Sequence, residues 1–164
     1  MDKGITLGFD GKNYEMLNQA LKSLIEDETD ALANLCNSAA LLFYSMKDIN
    51  WAGFYLYKEN QLILGPFQGK PACIRIPMGR GVCGTAAHKK EPIIVEDVHQ
   101  FPGHIACDGA SQSEIVLPII KDSILFGVLD IDSPIKSRFN ENDQKGLQSF
   151  IDILSIYVKW DSLV

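Results

Sequence analysis

Three of the four cysteines lie close together in the chain, in a stretch rich in glycine, proline and histidine. Cys73, Cys83 and Cys107 belong to this stretch, which spans residues 65–109, whereas Cys36 lies in an apolar helical pattern. Thiols that meet in a folded protein can carry out redox chemistry, bind a metal ion or form disulfides. Which of these applies decides the class of protein.

The spacing of these cysteines does not favour a structural zinc site. Such sites usually contain a close pair such as C-x2-C, whereas the intervals here are ten and twenty-four residues. His104 and Cys107 have a loosely metal-like spacing, but no second close pair supports them. We expect His88, His99 and His104 to serve as hydrogen-bonding groups in loops, and we expect no metal site.

A thiol-redox reaction needs a nucleophilic cysteine and a second cysteine that resolves the oxidised product. Cys107 is the better candidate for the nucleophile, because it lies in the polar, glycine-rich loop HIACDGASQSE. Cys73 begins a predicted strand, and Cys83 begins a predicted short helix whose N-terminus would favour a thiolate. That second argument alone could make Cys83 the nucleophile, so the order of the thiols stays open.

Three acidic residues lie at predicted strand ends. Asp130 and Asp132 end a strand that is otherwise apolar on both sides, and alternation places both carboxylates on one face. Glu114 begins the preceding apolar strand, EIVLPII, seven residues after Cys107. Such acids could bind the ammonium group of an amino acid or exchange protons. Alternatively, the strands simply reach solvent at these positions.

Trp51 and Tyr55 share one face of the predicted strand WAGFYLY. Core packing is the ordinary explanation for two such aromatic side chains. The functional alternative is an aromatic wall for a small ligand.

Hydrophobic periodicity predicts the elements that position these residues. Helices are expected over 12–24, 29–46, 82–90 and 141–160, with N-caps at Thr29 and Asn140. Strands are expected on both sides of a turn at 58–60, and over 73–76, 92–95, 114–120 and 124–131. Hairpin-linked strands with helices at both ends indicate an α+β fold with an antiparallel sheet, in one domain over residues 1–164.

Charge and hydropathy make several classes of protein improbable. The net charge is −6 with no basic cluster beyond Lys89 and Lys90, so we expect no nucleic-acid partner. The longest uninterrupted apolar run, residues 39–44, is far shorter than the roughly 20 residues that span a bilayer. The N-terminal residues lack an apolar core of signal-peptide length. We therefore expect a cytoplasmic protein without a membrane partner, where permanent disulfides are disfavoured.

The run from Trp51 to Asp132 resembles the free methionine-(R)-sulfoxide reductases, a class of GAF-domain enzymes. The matching segments are NWAGFYLY, LGPFQGKPACIRIPMGRGVCGTAA, FPGHIACDGASQSEIVLPI and GVLDIDSP. The resemblance implies a six-stranded antiparallel sheet with flanking helices, an enclosed small-ligand pocket and a homodimer. It also implies reduction of free methionine-(R)-sulfoxide to methionine, without action on methionine sulfoxide inside proteins.

The resemblance further implies roles for individual residues. Cys107 matches the cysteine that attacks the sulfoxide, Cys73 matches its disulfide partner, and Cys83 matches a third thiol of the relay. Either Cys73 or Cys83 could resolve the sulfenic acid, and thioredoxin would then reduce the disulfide without any metal or organic cofactor. The matching substrate-binding positions are Glu114, Asp130, Asp132, Trp51 and Tyr55.

Cys36 lies outside the matching segments and is expected in the core. Two other classes fit parts of the pattern. One is a GAF sensor that binds a nucleotide or another small molecule, and the other is a structural module held by zinc or a disulfide.

Overall fold

Six antiparallel strands form one sheet in a computed structural model that describes residues 13–164. Their order across the sheet is β3-β2-β1-β6-β5-β4, which confirms the predicted α+β architecture. The strands are β1 (Trp51–Lys58), β2 (Gln61–Gly69), β3 (Arg75–Pro77), β4 (Ile93–Val95), β5 (Ser113–Lys121) and β6 (Ile124–Ser133).

Among the described residues, four α-helices flank the sheet: α1 (Tyr14–Ile25), α2 (Ala31–Ser45), α3 (Gly81–Lys89) and α4 (Glu141–Tyr157). Short 3-10 turns cover Val98–Gln100 and Trp160–Ser162. Residue 12, where the first helix was expected to begin, lies outside the described residues. None of the helices within residues 13–164 has the length and apolar character that a membrane span requires.

Several element ends differ from the sequence prediction. The N-cap of α2 is Asp30 rather than Thr29, because the Asp30 side chain accepts a hydrogen bond from the Ala33 amide. Helix α4 begins with the expected Asn140 cap but ends at Tyr157, where Val158 adopts an extended conformation. The third strand begins at Arg75 instead of residue 73, so Cys73 lies beyond the paired residues of β3.

The pleat of the sheet separates two different environments. Ala52 and Phe54 of β1 pack toward α1, α2 and α4, in the larger apolar core. Trp51 and Tyr55 point to the opposite face, which α3 covers. This division follows from the period of two along a strand. The second face, called the α3 face below, carries the polar residues of interest.

Cys36 was expected in the core, and this expectation was wrong. Helix α2 buries Leu35, Ala39 and Leu42, which recur at helical spacing along one side. Each successive residue of a helix is rotated by about 100° around the axis, so Cys36 lies off this stripe and is exposed.

Close packing between α1 and α4 supports the larger core. Gly146 of α4 lies directly against the ring of Tyr14 in α1. The Tyr14 hydroxyl donates a 2.6 Å hydrogen bond to Asp143 Oδ1, one turn earlier on α4. The two helices can come this close because Gly146 has no side chain. A Cβ at position 146 would lie 2.0 Å from Tyr14 Cγ.

Gly146→Ala is therefore expected to lower the free energy of unfolding by about 2 kcal/mol, through overpacking against Tyr14. Urea denaturation followed by circular dichroism would measure the change. Lys145→Ala is the matched control, because Lys145 is exposed on the same helix, and its effect should stay within about 0.5 kcal/mol. Equal effects of the two substitutions would contradict the described packing.

Candidate active site

Strand register brings the predicted acidic and aromatic residues together on the α3 face. Asp132 of β6 lies between Trp51 of β1 and Glu114 of β5, its partners in the two neighbouring strands. Two residues back along β6, Asp130 lies opposite Gly53, which has no side chain. Phe67 of β2 occupies the position that a Gly53 side chain would take, because a Cβ there would lie 2.3 Å from Phe67 Cβ. Strand pairing thus brings the three carboxyl groups together at one end of the sheet.

Helix α3 closes this end of the sheet and contributes a thiol. The helix begins at Gly81, whose φ of 60° favours glycine. Gly84 packs against the Pro77 carbonyl, where a Cβ would come within 2.4 Å of the oxygen. This close packing directs Cys83 toward the strands, and its Sγ donates to Glu114 Oε1 at 3.9 Å.

The loop that carries Cys107 is fastened by several contacts. Asn50 Nδ2 donates to Asp108 Oδ2 and to Ser111 Oγ, each at 3.1 Å. Lys70 Nζ lies 3.6 Å from Asp108 Oδ1. A disulfide joins Cys107 to Cys73. An ionic and a covalent contact thus link the loop to residues 70–73, and hydrogen bonds link it to Asn50.

The aromatic side chains contact the same segment. Trp51 stacks on Tyr55 and Phe67, with ring centroids 5.9 and 5.2 Å away. Its Nε1 donates to the Lys70 carbonyl at 3.1 Å, and the Tyr55 hydroxyl donates to the Cys73 carbonyl at 2.9 Å. The two residues therefore form a wall whose polar atoms position the chain around Cys73.

A cavity of about 40 Å³ lies between α3, the sheet and the Cys107 loop. Every predicted site residue except Cys73 lines it, and Cys73 is connected to it through the disulfide. Cys73 and Cys107 are half-buried, whereas Cys83 is buried. The predicted residues in the lining are Trp51, Tyr55, Cys83, Cys107, Glu114, Asp130 and Asp132.

Burial raises the pKa of Glu114, Asp130 and Asp132 well above the ordinary carboxyl range, and repulsion between neighbouring carboxylates adds to the effect. Groups of this kind can retain a proton near neutral pH and donate it to a ligand. They also provide a favourable place for a cation, which would offset their repulsion.

Burial also raises the pKa of the Cys83 thiol, and the Asp130 and Glu114 charges raise it further. The sequence argument that a helix N-terminus would make Cys83 a thiolate is therefore outweighed. Cys83 is the third residue of α3, but it is buried and its sulfur faces acids rather than solvent. A thiol in this setting is protonated and slow to react.

Four polar residues that line the cavity were not among the predicted site residues: Arg80, His104, Asp108 and Ser111. His104 Nε2 lies 3.7 Å from Glu114 Oε2, and burial lowers the pKa of this imidazole. His104, Asp108 and Ser111 lie within four positions of Cys107. Their closeness to that cysteine was the available signal, but spacing alone does not give the path of a loop.

A family model for the GAF domain matches residues 20–158 of this chain. Protein YtsP of Bacillus subtilis is 59% identical over 145 residues, which cover 87% of this chain and 89% of that protein. The free methionine-R-sulfoxide reductase of Escherichia coli is 54% identical over 138 residues, or 84% of each chain.

Solved structures are similar over the same length. The free methionine-R-sulfoxide reductase of Neisseria meningitidis, in complex with its substrate, superposes with a TM-score of 0.87 at 42% identity. The match covers 92% of this chain and 90% of that one. At 42% identity the likeness extends to the sequence as well as to the fold.

The two free thiols should differ strongly in reactivity. In the disulfide form, Cys36 is exposed and should react rapidly with a chromogenic disulfide reagent. Cys83 should react on the order of a hundredfold more slowly, because a buried thiol reacts only when the structure opens locally. Stopped-flow absorbance would separate the two phases. Cys36→Ser should abolish the fast phase. If Cys83→Ser abolished the fast phase and Cys36→Ser did not, the described burial of Cys83 would be contradicted.

Proposed function

Since this chain belongs to the free methionine-R-sulfoxide reductases of the GAF-domain family, we propose that it reduces free L-methionine-(R)-sulfoxide to methionine by cysteine chemistry. One observation carries the proposal: the Cys73–Cys107 disulfide borders a cavity lined by three acids and an aromatic wall. A redox-active sulfur and a place for a small zwitterion thus occupy one site.

The cavity suits the two ends of a free amino acid. Trp51 is buried against the sheet and would contact the methyl group and the side chain of the substrate. One or more of the carboxylates Glu114, Asp130 and Asp132 would bind the ammonium group, which relieves their mutual repulsion. A peptide-bound methionine sulfoxide lacks the free ammonium group, and its backbone would not enter the cavity.

The first step transfers oxygen from the substrate to Cys107. The Cys107 thiolate attacks the sulfoxide sulfur while one of the buried acids protonates the sulfoxide oxygen. The hydroxyl group then moves from the substrate sulfur to the Cys107 sulfur while the transient sulfur–sulfur bond breaks, so methionine leaves with that bonding electron pair and Cys107 becomes a sulfenic acid. The raised pKa values of Glu114, Asp130 and Asp132 support this role, because a protonated carboxyl group can supply the proton near neutral pH.

The second step forms the disulfide. A thiol attacks the sulfenic sulfur, the new sulfur–sulfur bond forms, and the oxygen leaves as water. The contacts favour Cys73 as the attacking thiol, because it pairs with Cys107. Cys83 is buried and its sulfur faces Glu114, which suits a supporting thiol better than a resolving one.

Regeneration requires a dithiol, for which we propose thioredoxin. Its two thiols would reduce the Cys73–Cys107 disulfide by exchange, so the net reaction converts sulfoxide and dithiol into methionine, a disulfide and water. Both cysteines are half-buried rather than sealed in the core, which leaves the sulfur atoms within reach of a partner. A reducing compartment such as the cytoplasm suits this cycle, and we propose that the protein works there as a homodimer.

Activity should be strict for both the stereochemistry and the size of the substrate. Reduced protein supplied with thioredoxin, thioredoxin reductase and NADPH should oxidise NADPH with free methionine-(R)-sulfoxide. It should not do so with the S form or with an N-acetylated, amidated R sulfoxide. Cys107→Ser should lose at least about a thousandfold in turnover, because the covalent step is removed. The matched control, Cys36→Ser, should retain full turnover.

Equal turnover of the R and S forms, or of the blocked analogue, would contradict the substrate assignment. Full turnover in Cys107→Ser would contradict the assignment of the nucleophile. Consumption of thioredoxin thiols can be followed separately. An error in the assignment of the reductant can then be distinguished from an error in the assignment of the substrate.

A further inference from the structure

The base of the cavity brings together a thiol and two carboxyl groups from three different elements. Cys83 of α3, Glu114 of β5 and Asp130 of β6 each offer one ligand atom, and these atoms lie within 4.8 Å of one another. All three residues are buried. A soft thiolate sulfur and hard carboxylate oxygens together form a donor set that suits cations of intermediate softness, such as Zn²⁺.

Asp130 adds a second, independent observation. The residue is only 6% exposed, yet its Oδ1 has no hydrogen-bond partner among the described residues. A buried carboxylate oxygen without a partner is costly, because nothing replaces the water it has lost. Asp130 lines the cavity, so an ion placed there could satisfy this oxygen.

We propose that Cys83, Glu114 and Asp130 form a binding site for one divalent cation of the zinc class at the base of the cavity. The thiol would bind as a thiolate and each acid as a carboxylate, so their protons leave when the ion enters. The fourth position would face the cavity and take a water molecule, as in open zinc sites.

One pair of donor atoms already has nearly the required separation. A zinc–sulfur bond of about 2.3 Å and a zinc–oxygen bond of about 2.1 Å, at a tetrahedral angle, place sulfur and oxygen about 3.6 Å apart. Cys83 Sγ and Glu114 Oε1 are already 3.9 Å apart. The cavity volume of about 40 Å³ exceeds the roughly 10–15 Å³ that one water molecule requires, which leaves room for an ion and its water ligand.

The donor set also selects among cations. Calcium takes six to eight oxygen ligands, and magnesium prefers an octahedral shell of oxygen atoms with several waters. One thiolate and two carboxylates satisfy neither, whereas Zn²⁺ and Cd²⁺ accept mixed sulfur and oxygen ligands in a small coordination shell. We therefore expect Zn²⁺ and Cd²⁺ to bind and Mg²⁺ not to bind.

Occupation of this site has a consequence that rests on the proposed function. The ion would take the place of the substrate ammonium group beside Glu114 and Asp130, and it would fix Cys83 as a thiolate. Zinc should then act as a competitive inhibitor that a chelator reverses.

The test uses the Cys36→Ser protein with the Cys73–Cys107 disulfide intact, so that Cys83 is the single free thiol. Titration with CdCl2 should produce the ultraviolet charge-transfer absorption of a cadmium–thiolate bond, saturating at one ion per chain. ZnCl2 should displace the cadmium, and MgCl2 in large excess should not. Neither substrate nor reductant is present, so the result is independent of catalysis.

Ligand variants identify the site. Cys83→Ser should abolish the charge-transfer absorption, and Asp130→Asn should weaken cadmium binding on the order of a hundredfold, since loss of a ligand costs at least as much as loss of an outer-shell partner. The exposed residue His88 provides the matched control, and His88→Gln should bind as before. Thermal unfolding would establish that each variant is folded. Because Asp130→Asn keeps the thiol, it remains informative if Cys83→Ser does not fold.

Absence of the absorption at stoichiometric cadmium would overturn the proposal, as would unchanged affinity in Asp130→Asn. Loss of binding in His88→Gln would place the ion elsewhere and would also overturn it. If the protein reduces the sulfoxide but does not bind cadmium, the proposed function stands and the metal site is wrong. If the protein binds cadmium but does not reduce the sulfoxide, the metal site stands and the proposed function is wrong.

Discussion

Burial of three carboxyl groups at one end of a single sheet is the constraint on which the rest of the site depends. Glu114, Asp130 and Asp132 occupy strand ends that α3 and the Cys107 loop cover, where burial and mutual repulsion raise their pKa values. Charged groups in such a position destabilise the fold unless a proton or a cation neutralises them. In the proposed function, the same unfavourable placement prepares the cavity for a proton-consuming reaction on a zwitterionic amino acid.

The opposite face of the sheet provides the stability that this arrangement requires. Side chains of α1, α2 and α4 pack with Phe54, Ile115 and Leu129 into one continuous apolar core. Each strand therefore has a packing side and a site side, separated only by the alternation of its residues. A shift of register by one residue would move the acids into the apolar core, so the packing side fixes the geometry of the site.

The local sequence pattern was sufficient to predict which faces of the strands carry the acidic residues. Alternation along residues 124–132 places Asp130 and Asp132 on one face, and both residues line the same cavity. The pattern could not give the environment of Cys83, because the effect of a helix N-terminus depends on what the helix packs against. It also missed the exposure of Cys36, which one residue of helical rotation decides. The Cys107 loop, with His104 and Asp108, has no period, and tertiary contacts alone determine its path.

The pairing of Cys107 with Cys73 in a single turnover tests the central claim most directly. Fully reduced protein would be mixed with one equivalent of free methionine-(R)-sulfoxide without any reductant, quenched with an alkylating reagent and mapped by mass spectrometry. We expect the loss of two thiols per chain, a peptide cross-link between Cys73 and Cys107, and alkylated Cys36 and Cys83 after unfolding. A cross-link between Cys83 and Cys107 would contradict this pairing, and so would the formation of methionine without any loss of thiols.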